Sequence, residues 1–418
     1  MDIAREMLMI AKAAKKASQT LSVLPTSLKN QVLNRIADGL SDNRDFLKAE
    51  NEKDINDAHK QELSTALIDR LTLSDKVIGA MIEGIHDVVQ LPDPVGETVK
   101  MWRRPNDLLV GKVRIPLGVI GIIYESRPNV TVDAASLCLK SGNAVILRGG
   151  KEAIHSNRAL AGMMQDVLKR SGVDEAVVQL VPMVEREAVY EMLKLEECID
   201  LIIPRGGEDL IRAVVEQSRI PVIKHYKGVC HIFVDASADE EMAESVVVNA
   251  KVQRPGVCNA LETLLVHEEI ASSFIPRIVA RLKREKVEIR ACEKCRTIVP
   301  DLNVASEDDW YQEYLDLILS IKMVSSLEEA IDHIAVYGSM HTEAIITSDY
   351  ASSQLFLQKV NSSVVLVNAS TRFNDGNQLG LGSEIGISTT KLHAFGPMGL
   401  NELTTLKYVV YGNGQIRT

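Results

Sequence analysis

The chain has 418 residues, of which 46% are hydrophobic and 25% are charged, and its formal net charge is −10. This composition is typical of soluble globular proteins, and the length predicts two or three domains. The acidic balance argues against nonspecific binding to nucleic acid or to an anionic membrane, and no apolar run is long enough to span a bilayer. We therefore expect a cytoplasmic protein.

The first 90 residues are predicted to be helical. Leu and Ile recur every three or four residues, as in LKNQVLNRIADGL (28–40), which is the period of an amphipathic helix. Arg and Lys interrupt the apolar residues of MDIAREMLMIAKAAKK (1–16), so this segment resembles a surface helix rather than a signal peptide.

A β-hairpin is predicted next, because two alternating runs in residues 97–118 flank the turn-prone sequence RPND. Its length indicates an arm for a partner subunit. We assign residues 99–116 and 400–418, which include a short C-terminal strand at 403–412, to an oligomerisation arm, and we expect a homo-oligomer.

From residue 118 to 235, apolar strands alternate with helical stretches, which predicts a parallel sheet covered on both faces. With the helices that precede it, this sheet forms a predicted first domain of residues 1–98 and 117–250. The predicted strands are Val119–Tyr124, Ala144–Arg148, Val178–Val181, Leu201–Pro204, Pro221–Lys224 and His231–Val234.

A second set of strands predicts a second α/β domain, which we place at residues 251–399 and expect to carry the catalytic cysteine. Residues 370–399 are rich in glycine and polar residues, and a long irregular segment of this kind is more often functional than not. The predicted strands are Leu261–Val266, Val287–Arg290, Leu317–Lys322, Glu343–Thr347 and Val364–Asn368.

Cys258 follows Pro255 and Gly256 in QRPGVCNALETLLVH (253–267), and these two residues force an irregular backbone just before the sulfur. We therefore expect the thiol on a loop, where an acceptor could reach it. A thiolate is a capable nucleophile near neutral pH. A buried structural cysteine is the alternative that this segment alone leaves open.

Three turns join predicted strands to helices, and ligands bind parallel sheets at such carboxyl ends. In the first turn, the amide of Asn129 could donate to an oxyanion. In the second, Arg148 and Lys151 flank two glycines and could receive a ribose with its 2′-phosphate, which favours NADP over NAD. In the third, Gly206 and Gly207 would let a pyrophosphate or nicotinamide approach.

No metal site is expected from the sequence. Cys292 and Cys295 form a CxxC pair that no second pair completes, and the histidines lack metal-site spacing. The six cysteines do not resemble a secreted disulfide framework, so we expect reduced thiols.

Five segments, in their order along nearly the whole chain, resemble the aldehyde dehydrogenase superfamily. The resemblance implies an α/β fold with two doubly wound parallel-sheet domains plus an arm made by the hairpin and the C-terminal strand. The segments are SRPNVT (126–131), LRGGKEA (147–153), QRPGVCNALET (253–263), VSSLEEAIDHIAVYGSMHTEAI (324–345) and GLGSEIGISTTKLHA (380–394).

By this resemblance, Cys258 is the catalytic thiol and Asn129 is the oxyanion donor. Arg127, Arg372 and Lys391 are candidates for binding an anionic substrate or its phosphate, since the first lies in the Asn129 turn and the other two lie in the long polar loop.

The resemblance also implies that the first domain, residues 1–98 and 117–250, is an NADP-binding domain. Arg148 and Lys151 would contact the adenosine ribose, Gly206 and Gly207 would lie beside the pyrophosphate, and Glu313 would hold the nicotinamide ribose.

The implied activity is the NADPH-dependent reduction of L-glutamyl 5-phosphate to L-glutamate 5-semialdehyde and phosphate, through a Cys258 thioester, in the second step of proline biosynthesis. Because no kinase segment is attached, the acyl phosphate would come from a separate glutamate 5-kinase. Alternatives are a reductase of the same fold for another acyl phosphate or acyl-CoA, and a non-catalytic binding protein that has kept the fold.

Two positions depart from the superfamily pattern. Oxidising members carry a Glu that activates the hydrolytic water, and HYKGVC (225–230) has His225 there. This argues against a simple aldehyde oxidase, because a poised base would waste the acyl phosphate in hydrolysis. Phe395 stands where relatives carry Arg, and an aromatic side chain that packs is the favoured interpretation.

Overall fold

The computed structural model describes residues 2–417, which form two compact units. The first unit contains the chain up to Lys224, the segment Gly380–Gly386 and the residues from Met398 onward. The second unit contains His225–Leu379 and Ile387–Pro397. No helix within residues 2–417 combines the length and apolar character needed to cross a membrane.

Helices and strands alternate along most of the chain. The helices are α1 Ile3–Leu21, α2 Thr26–Asp42, α3 Arg44–Lys60, α4 Thr65–Leu71, α5 Asp75–Gln90, α6 Asn129–Lys140, α7 Ile154–Arg170, α8 Arg186–Met192, α9 Glu208–Gln217, α10 Glu240–Val252, α11 Glu268–Arg284, α12 Glu293–Ile298, α13 Leu327–Tyr337 and α14 Tyr350–Lys359. The strands are β1 Thr98–Arg103, β2 Leu109–Pro116, β3 Val119–Tyr124, β4 Ala144–Arg148, β5 Val178–Leu180, β6 Leu201–Arg205, β7 Cys230–Val234, β8 Leu261–His267, β9 Glu288–Ala291, β10 Asn303–Val304, β11 Ile318–Val324, β12 Thr342–Ile346, β13 Val364–Val367, β14 Ile387–Ser388, β15 Gly396–Pro397 and β16 Thr404–Tyr411.

A four-stranded parallel sheet in the order β5-β4-β3-β6 forms the core of the first unit. Every residue of β3 is buried, as expected for a strand covered on both faces. Gly121 lies within this strand because a Cβ there would come 2.3 Å from Cε of Met192 in α8. The glycine therefore allows α8 to pack closely on the sheet.

The amino-terminal helices cover this sheet. Helix α1 is capped by Asp2, whose side chain accepts from the backbone N–H of Arg5. Its apolar face buries Met7, Ala11 and Ala14 in the same core cluster as the sheet. The predicted helical character of residues 3–90 is confirmed.

A three-stranded antiparallel sheet in the order β1-β2-β16 completes the first unit. The predicted hairpin and the predicted C-terminal strand are both present, and they pair through β2. Their assignment to an oligomerisation arm stays a prediction.

The second unit is built on a seven-stranded parallel sheet in the order β10-β9-β11-β8-β7-β12-β13. Helices α10 and α11 bury their apolar faces against its central strands. A short antiparallel pair, β14 with β15, also belongs to this unit. The predicted α/β architecture with two parallel sheets is confirmed.

Two predicted strands differ from expectation, one in the sheet it joins and the other in its extent. The strand predicted at His231–Val234 pairs as β7 with β8 and β12 in the second sheet, not in the first. The segment Pro221–Lys224 forms only a single bridge, between Val222 and Ile202. Residues 225–250 thus belong to the second unit, and residues 380–386 belong to the first. The predicted boundaries differ there because an apolar strand pattern does not specify which sheet the strand joins.

Candidate active site

The three predicted turns of the first unit lie at one edge of its sheet. Strands β4, β3 and β6 are neighbours, with Ile123 opposite Arg148 and Tyr124 opposite Arg205. Because these strands are parallel, the segments that leave their carboxyl ends emerge side by side, at the edge where such sheets bind ligands.

Asn129 begins helix α6 directly after the β3 turn. Its side-chain Nδ2 donates to Oδ2 of Asp133, one helical turn further on, across 2.9 Å. Burial raises the pKa of Asp133 to about 6, although the hydrogen bond from Asn129 opposes that shift. Arg127 is exposed on the same turn. The sequence did not single out Asp133, although its i+4 spacing from Asn129 could have suggested the contact.

The turn after β4 holds Arg148 through backbone carbonyls. Its guanidinium donates to the carbonyl oxygens of Gly149 at 2.8 Å and Val184 at 2.9 Å. Nε of Arg148 is buried without a hydrogen-bond partner among the described residues, and burial lowers the pKa of the group. Gly149 is required because a Cβ there would come 2.1 Å from Nδ2 of Asn157. Lys151 is exposed at the start of the next helical turn.

The turn after β6 offers a backbone donor that a carboxylate already uses. The N–H of Gly207 donates to Oε2 of Glu125 across 3.0 Å. A Cβ on Gly206 would come 2.6 Å from Cδ of Glu125, whereas a Cβ on Gly207 would meet nothing within 4 Å. The Cα of Gly207 therefore faces open space, while its single N–H hydrogen is engaged by Glu125. Glu125 was not predicted to belong to the site, although it is an acidic residue directly after β3.

Cys258 lies half-buried between α10 and β8 in the second unit. Its carbonyl oxygen accepts from Sγ of Cys230 across 3.2 Å. A Cβ on Gly228 would come 2.0 Å from that oxygen, so only glycine permits this approach. The segment HYKGVC (225–230) therefore packs directly on the backbone of Cys258. The side chain of Cys258 is neither fully buried in the core nor fully exposed on a loop.

Two imidazoles approach the sulfur of Cys258. Ligand atoms of His225, Cys258 and His341 all lie within 4.8 Å of one another, and the two imidazole rings are 5.5 Å apart. Nδ1 of the buried His341 lies 2.7 Å from Oγ1 of Thr342. Imidazoles at this range can exchange a proton with a thiol, and the trio could hold a soft divalent metal ion.

This cluster was not predicted. His341 was not expected at a metal site because its spacing from the other histidines matches no metal motif. The three residues come from segments that are remote along the chain, so no short motif could reveal their proximity. His225 alone was noted, through its position in the superfamily pattern.

Arg372 lies beside the cysteine loop. Its guanidinium donates to Oε1 of Gln253 at 2.8 Å and to Oδ1 of Asn259, the residue after Cys258. Burial lowers the pKa of Arg372. The structure thus places this cation next to the residue that follows Cys258, with two neutral amides as its hydrogen-bond partners. Its role in binding an anionic substrate stays a prediction.

Lys391 has other contacts. Its ammonium donates to Oδ1 of Asn361 and lies 5.3 Å from the ring centroid of Phe395. Phe395 thus packs under a cation in this unit.

Glu313 precedes a loop that borders the cysteine segment. A Cβ on Gly256 would lie 3.7 Å from the carbonyl oxygen of Leu315, whose N–H donates to Oε1 of Glu262 at 3.3 Å. Glu262 in turn forms an ion pair with Lys251 across 2.7 Å, with both side chains fully buried. Burial raises the pKa of Glu262 and lowers that of Lys251. This pair, which the sequence analysis missed, anchors the loop that carries Glu313.

Comparisons with known proteins agree with the sequence resemblance. Residues 4–316 match the model of the aldehyde dehydrogenase family. The chain is 61% identical over 417 residues to the gamma-glutamyl phosphate reductase of Geotalea daltonii, with 100% of each chain covered. The crystal structure of the gamma-glutamyl phosphate reductase of Thermotoga maritima is similar with a TM-score of 0.97 and 47% identity, covering 99% of this chain and 100% of that one.

The fold is also similar to that of a more distant protein with a different named activity. The glyceraldehyde-3-phosphate dehydrogenase GapN of Methanocaldococcus jannaschii, solved in complex with NADP, is 18% identical with a TM-score of 0.68, covering 98% of this chain and 95% of that one. At this identity the likeness concerns the fold alone.

Proposed function

Because the chain belongs to the aldehyde dehydrogenase family and, within it, to the gamma-glutamyl phosphate reductases, we propose that it reduces L-glutamyl 5-phosphate to L-glutamate 5-semialdehyde, with release of phosphate and oxidation of NADPH. In a cell this reaction would be the second step of proline biosynthesis, and a separate glutamate 5-kinase would supply the acyl phosphate. The observation that carries most of the proposal is the setting of Cys258, a half-buried thiol with two imidazoles within 4.8 Å.

In the proposed reaction, the thiolate of Cys258 attacks the acyl carbon and phosphate leaves, which forms a thioester. Covalent catalysis of this kind divides one difficult reduction into acyl transfer and hydride transfer. A protonated imidazole of His225 or His341 would stabilise the thiolate before attack, because a neighbouring cation lowers the pKa of a cysteine. The close packing of Gly228 on the Cys258 carbonyl supports the role, since it fixes the backbone that carries the sulfur.

The oxyanion of the tetrahedral intermediate would accept hydrogen bonds from the Asn129 amide and from the backbone N–H of Cys258. Donors that are already oriented stabilise such charge without reorganisation during the reaction. The hydrogen bond from Asn129 to Asp133 engages one hydrogen of the amide nitrogen and leaves the second for another acceptor.

The thioester must survive until it is reduced, and His225 supports this requirement. Oxidising relatives use a carboxylate at the corresponding position to activate water. This chain lacks that carboxylate, so water would compete weakly with reduction. After reduction, the thiohemiacetal would lose the proton of its hydroxyl group as the C–S bond breaks, which frees the aldehyde and restores the thiol.

The turns of the first unit fit a phosphorylated dinucleotide. Arg148 offers a buried Nε without a partner among the described residues, and Lys151 places an exposed cation on the same turn. The Gly207 amide donates to a carboxylate oxygen of Glu125, so it could donate to a pyrophosphate oxygen that displaces this carboxylate. We propose that these groups, together with Gly206 and the loop of Glu313, would hold NADP, which in its reduced form, NADPH, would supply the hydride.

The anionic groups of the substrate need cations. Arg372 is the strongest candidate, because its guanidinium is held at the residue that follows Cys258 by two neutral amides and its charge stays uncompensated by them. Arg127, exposed on the Asn129 turn, is a second candidate. Lys391 is a weaker one, since Asn361 and Phe395 engage its ammonium.

The reaction is most easily tested in reverse. The purified protein should oxidise L-glutamate 5-semialdehyde, supplied as its cyclic form pyrroline-5-carboxylate, only when both phosphate and NADP are present, with NADPH followed by its absorbance. Substituting coenzyme A for phosphate, and other aldehydes for the semialdehyde, tests the alternative acyl donors. Turnover with none of these substrates would leave a non-catalytic binding protein as the better description.

A further inference from the structure

A second pair of thiols lies outside the proposed active site. Cys292 follows the last residue of β9, and Cys295 lies within α12. Their sulfurs are 3.4 Å apart, which is within hydrogen-bond distance for sulfur. The S–S bond of a disulfide is about 2.05 Å long. Side-chain rotations that shorten the distance between the two sulfurs by little more than about 1 Å would therefore bring them to bonding distance.

The surroundings give the two sulfurs different roles. Cys292 is half-buried and accepts from the backbone N–H of Met323 in β11 across 3.4 Å. Its hydrogen bond with Cys295 is the main cause that lowers the pKa of Cys292 to about 6. Cys295 is buried, and both that hydrogen bond and its burial raise its pKa. Cys292 is therefore the sulfur that loses its proton more readily, and the enclosed Cys295 is the one that holds its proton more tightly.

A structural zinc site is not supported at this pair. Zinc sites in proteins use three or four protein ligands. Within residues 2–417, the cluster of three or more potential ligands is that of His225, Cys258 and His341, which does not include Cys292 or Cys295. Two adjacent sulfurs with unequal proton affinity are instead the arrangement of a reactive dithiol.

The pair is separate from the proposed nucleophile within the second unit. Cys292 follows the carboxyl end of β9, whereas Cys258 precedes the amino end of β8. Strands β9, β11 and β8 are parallel neighbours. The thiol pair therefore lies at the carboxyl ends of these strands, and Cys258 lies at their amino ends.

We infer that Cys292 and Cys295 form a redox-active dithiol, which a small-molecule disulfide converts to an intramolecular disulfide. The Cys292 thiolate attacks one sulfur of the small disulfide, forming a mixed disulfide and releasing one small thiolate. Cys295 then loses its proton and attacks Sγ of Cys292, which expels the second small thiolate. The protein loses two electrons and two protons, and the small disulfide gains them as two thiols. This inference does not depend on the proposed reductase activity.

The test equilibrates the full-length protein with graded mixtures of reduced and oxidised glutathione, followed by acid quenching, alkylation and peptide mass spectrometry. It is best done in a Cys258→Ser background, so that the other half-buried thiol cannot contribute mixed disulfides. A disulfide between Cys292 and Cys295 should accumulate with the oxidised fraction and disappear completely on reduction. A pair that stays reduced at every ratio, while Cys292 is alkylated in the folded protein, would overturn the inference.

Single substitutions separate the two roles. Cys295→Ser should trap glutathione on Cys292 as a stable mixed disulfide, and Cys292→Ser should lose all intramolecular disulfide without trapping glutathione on Cys295. Cys198→Ser, at a buried thiol elsewhere, is the matched control and should behave as the parent. Circular dichroism verifies that each variant is folded, and Cys292→Ala replaces the serine variant if that one is not. Equal trapping at both positions would contradict the asymmetry.

Discussion

The side-chain amide of Asn129 donates to the carboxylate of Asp133 across 2.9 Å, within the first turns of α6. This contact sets the direction of the amide plane, because one N–H hydrogen is committed to Asp133. Asp133 is therefore a positioning residue for the proposed oxyanion donor, although it need not touch the substrate itself.

Asn129→Ala removes the proposed oxyanion donor and should lower kcat by roughly 10²–10³-fold, as the loss of one such donor does in other enzymes. KM should change much less, since the charge on the oxygen develops only in the transition state. Steady-state kinetics in the phosphate-dependent oxidation check this. A change confined to KM would contradict the assignment.

Asp133→Asn should change how stability depends on pH. The pKa of Asp133 is raised to about 6 from 3.8 by burial, so the folded protein binds more protons than the unfolded chain between about pH 4 and 6. The unfolding free energy contributed by this group therefore falls as pH rises through that window, by on the order of 3 kcal/mol.

Urea unfolding at several pH values measures this effect as the difference between the parent and the variant. In the Asp133→Asn variant, the unfolding free energy should no longer fall by this amount between about pH 4 and 6, whereas the pH dependence due to other groups should remain. Parallel curves from pH 4 to 7 would show that Asp133 titrates normally. Because Asn is a neutral acceptor of the same shape, the kcat of this variant also reports how far the charge of Asp133 positions Asn129.

Cys258→Ser should abolish turnover, with a loss of at least roughly 10³-fold, because a serine hydroxyl at neutral pH is a far weaker nucleophile than a thiolate. NADPH binding, measured by fluorescence titration, should persist. Cys292→Ser is the matched control, since that thiol is also half-buried but lies at the opposite edge of the sheet. Substantial activity in the Cys258 variant would refute the thioester.

Arg148→Ala should weaken NADPH binding more than NADH binding, because only NADPH carries the 2′-phosphate that the proposal assigns to this cation. The guanidinium also holds the carbonyls of Gly149 and Val184, so some loss for both cofactors is expected from a looser turn. The ratio of the two dissociation constants isolates the phosphate contribution. Arg170→Ala, at an exposed cation on α7, should leave that ratio unchanged.

Uniform apolar runs identified most strands correctly. A strand such as β3 is buried on both faces, so nearly all of its residues must be apolar. The same pattern could not assign β7 to its sheet, since Cys230–Val234 is equally apolar whichever neighbours it joins. Pairing depends on the chain as a whole, and the strand turned out to lie between β8 and β12.

The candidate site stays a prediction, but the positions of some of its residues in the fold were predictable. Asn129, Arg148 and Gly207 lie on turns at the carboxyl ends of parallel strands, and such turns follow a topological rule. The imidazole of His341 beside Cys258 was not, because it depends on the order of strands β7, β8 and β12. The contacts of Glu125 and Asp133 are set by local rotamers that sequence patterns do not specify.

His225→Glu tests why this chain carries an imidazole near its thiol. A carboxylate at this position could activate water against the thioester, as in oxidising relatives, so oxidation of the semialdehyde should become partly independent of phosphate. General-base catalysis is worth roughly 10²–10⁴-fold, and we expect a gain toward the lower end in the phosphate-free rate. His225→Gln removes the imidazole without adding a base, so it should lower the phosphate-dependent rate and leave the phosphate-free rate near zero. Equal phosphate-free rates in the two variants would contradict this explanation. Hydrolysis would then be suppressed because water is excluded from the Cys258 loop, and not because a carboxylate is missing.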